Sequence, residues 1–116
     1  MKALIIKPEW LELILSGKKT WELRSRNTKV RGRIGLIASG TGTILGTTEL
    51  VDAFPVSDAQ LRRNGSKHRV PMSRVSAYGD KLNAWVMQGT RRLKNPVPYV
   101  HPQGAVIWVT IPDITA

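Results

Sequence analysis

Glu22 stands alone among Lys18, Lys19, Arg24 and Arg26 in the segment SGKKTWELRSR, residues 16–26, which also carries Trp21. A carboxylate ringed by cations is better placed to orient them, or to accept a hydrogen bond from a ligand hydroxyl or amine, than to give up a proton. Lys19 is the more reactive prospect. Burial and positive neighbours both lower a lysine pKa, and that shift makes the amine usable as a base or nucleophile. By residue type alone the group reads equally well as a structural ion pair.

Other chemistries find less support. The eight carboxylates are scattered, His68 and His101 stand far apart, and no HxxxH or DxD spacing occurs, so neither a metal nor another cofactor is expected. No nucleophile elbow frames a serine. The chain has no cysteine, which excludes disulfides, thiolate chemistry and cysteine-based zinc sites. The glycines of SGTG, residues 39–42, are not followed by the Lys-Ser/Thr pair of a phosphate loop and read as a hairpin turn.

The charge points to a polyanion. Eighteen Lys and Arg against eight Asp and Glu give 116 residues a formal net charge of +10. Seven of those cations fall in residues 18–33 and five in residues 62–74, where Arg62, Arg63, Lys67, Arg69 and Arg74 meet no acid; residues 34–61 hold none. Such concentration is the footprint of nucleic-acid binding, although Arg62, Arg63, Lys67 and Arg69 also read as a solvated face. The opening MKALIIKPEW is too short and too broken to be a signal core or a membrane span, so the expected location is cytoplasmic, with no membrane partner.

The elements that must position these residues are short. KALIIK reads as a buried strand. PEWLELILSG reads as a helix, with Pro8 in its first turn, Trp10, Leu11, Ile14 and Leu15 on one face, and Gly17 as the stop. KTWELR alternates, which predicts a half-buried strand with Trp21 and Leu23 inward and Glu22 and Arg24 together on the other side. On that alternation Lys19 faces away from Glu22, so a shared site requires Lys19 to come from the turn after Gly17.

GRIGLIAS and TILGTTELVDA predict a strand pair, and VSDAQLRRNG a short basic helix capped by Ser57 or Asp58 and stopped by Gly65. SKHRVPMSRVSAYGD reads as a long loop or flap. KLNAWVM predicts a strand, RRLKNPVPYVHP an extended segment, and GAVIWVTI a strand near the sheet centre. The sum predicts an α+β class single domain over residues 1–116, with five or six strands and short helices, arranged as a small β-barrel. Trp10, Trp21, Trp85 and Trp108 are expected inside, with Trp85 able to line a cleft, and Tyr78 and Tyr99 in loops are the better stacking candidates.

GKKTWELR, residues 17–24, resembles the G-x-K-x-x-E-x-R signature of ASCH (activating signal cointegrator homology) domains, with Gly17, Lys19, Glu22 and Arg24 on its fixed positions. MKALIIKPEWLELIL is similar to the strand and helix that lead into that signature, RGRIGLIAS to the strand after it, and NPVPYVHPQGAVIWV to the closing segment of small bacterial members. The resemblance implies a PUA-like β-barrel with a cleft for RNA or a nucleotide. Family activities include RNA binding, metal-independent cleavage of single-stranded RNA and deacetylation of N4-acetylcytidine. Lys19 matches the catalytic lysine of the amidohydrolase members, but Glu22 stands where they carry a catalytic threonine, which speaks against deacetylation.

The expected function is therefore binding of single-stranded RNA or a modified nucleotide in a basic cleft, DNA being left open, with a metal-independent ribonuclease or amidohydrolase as the alternative. Binding would use Lys7, Lys18, Lys19, Arg24, Arg26, Arg31, Arg62, Arg63, Lys67 and Arg69 for phosphates, Tyr99 for stacking, and Glu22 or Ser39 for a base or ribose edge. Catalysis would draw on Lys19, Glu22, Tyr78 and His101, with Arg24 and Arg26 steadying a phosphorane.

Overall fold

A computed structural model describes residues 1–75 and 81–114. The described elements follow in the order β1 (Lys2–Ile6), α1 (Pro8–Leu15), β2 (Trp21–Arg24), β3 (Gly32–Ala38), β4 (Thr43–Val56), α2 (Asp58–Arg63), α3 (Gly65–His68), α4 (Met72–Val75), β5 (Leu82–Pro98) and β6 (Trp108–Thr110). The strands form one mixed sheet in the order β2-β5-β4-β3-β1-β6. Only β1 and β3 run parallel, and α1 and β2 lie on the connection between them. The architecture is α+β.

Apolar pattern dictates what faces the interior. Ala3, Leu4 and Ile6 of β1 are buried because that strand lies between β3 and β6. Trp10, Leu11, Ile14 and Leu15 of α1 pack into the main core. Ser57 caps α2 through a complete capping box: its Oγ accepts from the Gln60 amide at 3.2 Å, and Gln60 Oε1 accepts from the Ser57 amide at 2.8 Å.

Several elements differ from the sequence reading. Gly65 does not stop the basic helix; α2 closes on Asn64, and Gly65 begins the one-turn helix α3. Residues 66–75, expected as loop, hold α3 and α4, tied down by buried His68. Val70 N–H donates to His68 Nδ1 at 3.0 Å, so Nε2 carries the ring proton and donates to the Leu61 carbonyl at 2.7 Å. The proline-rich RRLKNPVP continues β5 instead of merely extending beyond it. β5 pairs with β2 only over residues 83–86, which leaves its remaining outer edge open, and an open edge tolerates Pro96 and Pro98.

GAVIWVTI is not central either: it supplies the three-residue edge strand β6. Within that run Val106 stays exposed and Val109 is buried, while Trp108 is partly covered because the sheet curls until its two ends meet. Trp85 of β5 stacks on Trp108 of β6, ring centroids 5.8 Å apart and planes 10° off parallel. Arg24 of β2 donates to the Ile5 carbonyl of β1 at 2.8 Å. Side chains, not a strand ladder, bridge this seam.

Candidate functional site

A cleft of about 450 Å³ opens at the seam. Ile5 and Lys7 reach it from the junction of β1 and α1, Glu22 and Arg24 from β2, Ser39 from the end of β3, and Trp10 and Arg74 from α1 and α4; Val106 completes the wall. The curl of the sheet creates the site, since β1 and β2 are not sheet neighbours.

Arg24 is the fixed point. Its Nε and Nη2 donate to Glu22 Oε2 at 3.1 and 2.9 Å, and Nη2 also reaches the Ile5 carbonyl. The guanidinium carbon lies 5.6 Å from the centre of the Trp85 ring. None of these bonds uses Nη1. Below the fork, Asn83 Nδ2 donates to the Arg24 carbonyl at 3.3 Å and Trp85 Nε1 donates to the Arg26 carbonyl at 3.1 Å, so β5 holds the end of β2 in place.

Glu22 was expected on a half-exposed face, yet it is 5% exposed. Alternation holds along β2, but the seam covers the second face as well. Its Oε2 is taken by Arg24, and Oε1 lies 3.7 Å from Lys19 Nζ.

Lys19 comes from the turn, as a shared site requires. After α1 the chain turns at Gly17, φ +80°, and the Lys18 and Lys19 amides both donate to the Leu13 carbonyl at 2.9 and 3.0 Å. Thr20 then pairs with Lys67 and Met87 through the backbone, pinning the turn to α3 and β5. Lys19 is 1% exposed, donates to the His68 carbonyl and lies 5.2 Å from the centre of the Trp10 ring. Burial lowers its pKa from the ordinary 10.5 to about 8; Glu22 pulls it upward and Arg24 adds to the lowering. Lys19 supports Glu22 from behind and does not line the cleft.

A second cavity, about 410 Å³, shares Ile5, Ser39 and Val106 with the first and adds Gly40, Gly42, Tyr99, His101 and Ala105. There the Ala105 carbonyl can only accept, so His101 Nε2 donates to it at 2.8 Å, and Nδ1 accepts from the Tyr99 hydroxyl at 2.9 Å. Desolvation raises the Tyr99 pKa, which keeps the phenol protonated. A third cavity, about 250 Å³, lies on the other side of Arg24, between Ser25, Arg26, Trp85 and Ile107.

The sequence candidates thus separate by place. Lys7, Glu22, Arg24 and Ser39 meet in the central cleft, Tyr99 and His101 in the second cavity, and Arg26 in the third. Lys18, Arg62, Arg63 and Arg69 are exposed outside all three. Lys67 lies 5.2 Å from the centre of the Trp21 ring, and Arg31 donates to the Thr28 and Val30 carbonyls, so both brace the fold. Tyr78 lies outside the described residues.

Trp10, Arg74 and Val106 line the cleft without having been singled out for it. Trp10 reads as a core residue and, at 8% exposure, is also one; its ring carries the Arg74 guanidinium at 4.8 Å. Only the fold brings residue 106 to residue 5, and no local spacing announces that. Among the described residues no three His, Asp or Glu side chains gather as for a metal ion, and no helix is long and apolar enough to cross a membrane.

The chain is similar to known proteins in sequence pattern and in fold. The family model of the ASCH domain matches residues 4–97. The crystal structure of ASCH from Zymomonas mobilis superposes with a TM-score of 0.77 at 19% identity, over 96% of this chain and 87% of that one. Two mutant forms of that protein give TM-scores of 0.75 and 0.76, again at 19% identity. No curated protein matches the sequence. With the family pattern matched through five of the six strands and the fold shared over nearly its whole length, the chain belongs to the ASCH domain family.

Proposed function

We propose that this ASCH domain binds single-stranded RNA, or a modified nucleotide, in the cleft at the seam. One observation carries the reading: Arg24 is locked by Glu22 and the Ile5 carbonyl on the wall of a cleft that also holds Lys7, Arg74 and Trp10. Arg24 pairs with Glu22 and Arg74 with Glu9, so Lys7 leaves the lining with a net positive charge, which favours an anionic ligand. A guanidinium already held in place loses little freedom on binding, and Nη1, which those bonds do not use, can donate to a phosphate. The Arg74 guanidinium, half exposed and lying over Trp10, offers a plane on which an unpaired base can stack. The cavity volume lies within the roughly 300–1,000 Å³ of small-ligand sites.

Titration of a fluorescent single-stranded oligoribonucleotide tests this. Binding should weaken linearly in log salt, with a slope of about 0.7 per phosphate contacted. Arg24→Ala should weaken it about tenfold or more, and Arg24→Lys should not restore it, because a lysine's point charge cannot span Glu22, the Ile5 carbonyl and a ligand as the planar guanidinium does. Absence of binding at low salt, or binding indifferent to salt, overturns the reading.

A second reading is hydrolysis of the same ligand class, as a metal-independent ribonuclease or an amidohydrolase. The observation favouring it is Lys19, whose amine titrates near pH 8 beside Glu22. To reach a ligand, that amine has to leave the His68 carbonyl and pass Trp10. Glu22, engaged by Arg24 and Lys19, orients groups and does not attack.

A further inference from the structure

We infer that the central, Tyr99–His101 and Arg26 cavities form one groove that takes a single strand of at least three nucleotides, one per cavity, with Arg24 in the middle and the Tyr99–His101 pair holding one end. This rests on the nucleic-acid reading above and extends it from a nucleotide pocket to a strand path. The cavities share walls: Ile5, Ser39 and Val106 belong to both the central and the Tyr99 cavity, and Arg24 to both the central and the Arg26 cavity. The consecutive residues Ala105, Val106 and Ile107 run past all three.

Each end has its own chemistry. At the Tyr99 end, the His101 bond uses the phenol proton, so the Tyr99 oxygen can only accept from a ligand, which suits a ribose hydroxyl or an exocyclic amine. Gly40 and Gly42, at φ +82° and +67°, leave bare backbone there for close approach. Val106 is 76% exposed between this cavity and the central one, an apolar side chain offered to a base. At the opposite end Arg26 and Ser25 supply a cation and a hydroxyl, the groups that contact a phosphate. A nucleoside or mononucleotide would fill the centre and leave both ends unused.

A length ladder decides it. Uridine 5′-monophosphate and the uridylate di-, tri- and hexanucleotides are titrated into wild type, Tyr99→Phe and Arg26→Gln by calorimetry. Affinity should rise about fivefold or more at each step up to the trinucleotide, in keeping with one added base contact per step. Both variants should bring the trinucleotide-to-mononucleotide affinity ratio down severalfold. Equal affinity for the mononucleotide and the trinucleotide, or an unchanged ratio in both variants, overturns the strand path while leaving the nucleotide-binding reading standing. If neither the mononucleotide nor the hexanucleotide binds at low salt, the reading beneath it fails as well.

Discussion

Lys19 pays in desolvation for supporting Glu22, and its pKa of about 8 records that cost. The amine donates to the His68 carbonyl and faces Glu22, yet burial outweighs the upward pull of Glu22. The sign of the linkage follows. The folded pKa lies below the unfolded 10.5, so between about 8 and 10.5 the unfolded chain binds more protons and stability rises with pH. Below about 8 both states carry the charge and the full cost is present. Compared with Lys19→Met in urea melts, the wild type should gain relative stability across that window, by up to on the order of 3 kcal/mol. A constant difference would mean that the amine is not desolvated. The same ionisation gives the hydrolytic reading a signature. Cleavage of RNA or of N4-acetylcytidine in the presence of a chelator should rise through about pH 8 and vanish in Lys19→Ala; equal turnover by both proteins would mark a contaminant.

Elements are set by contacts as tight as those of Gly46, where α1 crosses the irregular pairing of β4 with β5. A Cβ at this position would lie 2.6 Å from the Arg91 carbonyl oxygen and 2.5 Å from Leu15 Cδ2. Leu15 can rotate away, whereas the β5 backbone cannot. Gly46→Ala should therefore cost about 1–3 kcal/mol, a drop of about 3 °C or more in the thermal midpoint for a chain of this size; an unchanged midpoint would show that β4 and β5 part easily. Local rules made much of the fold legible: Pro8 and Gly17 bound α1, Ser57 announces the start of α2, and the glycines of SGTG turn β3 into β4. The misplaced elements were decided by distant pairing. The apolar run VIWV suggests a central strand, yet β6 lies at an edge, where Val106 is exposed, Trp108 is covered in part by Trp85 across the curl and Val109 is buried. Prolines argue against a central strand, but β5 is open along most of one side. The site follows the same division. Alternation along β2 puts Glu22 and Arg24 on one side, and the resemblance to the ASCH signature adds Lys19, while Trp10, Arg74 and Val106 are brought to the cleft by the fold alone.

For the molecule as a whole, the cleft exists because the sheet curls without closing, so the interactions that hold the seam also set the width of the site. The seam is bridged by Arg24, which donates to the Ile5 carbonyl, and by the near-parallel stack of Trp85 on Trp108. Arg24 also serves the ligand in the proposed function, which makes Trp108 the cleaner probe. It sits outside the central cleft and is only partly buried. Removing its ring forfeits a stacked pair worth about 0.5–1.5 kcal/mol beyond the area it covers. Because β6 pairs with β1 over just three positions, that loss should fall locally. In Trp108→Ala, amide hydrogen exchange should speed up at Ile5, whose N–H bonds the Ile107 carbonyl, and in Val109 and Ile111, while the long β4–β5 ladder keeps its protection. Affinity for single-stranded RNA should fall together with the seam protection. Uniformly faster exchange would place Trp108 in the global core. Loosened β6 amides with undiminished RNA affinity would show that the seam does not govern the cleft.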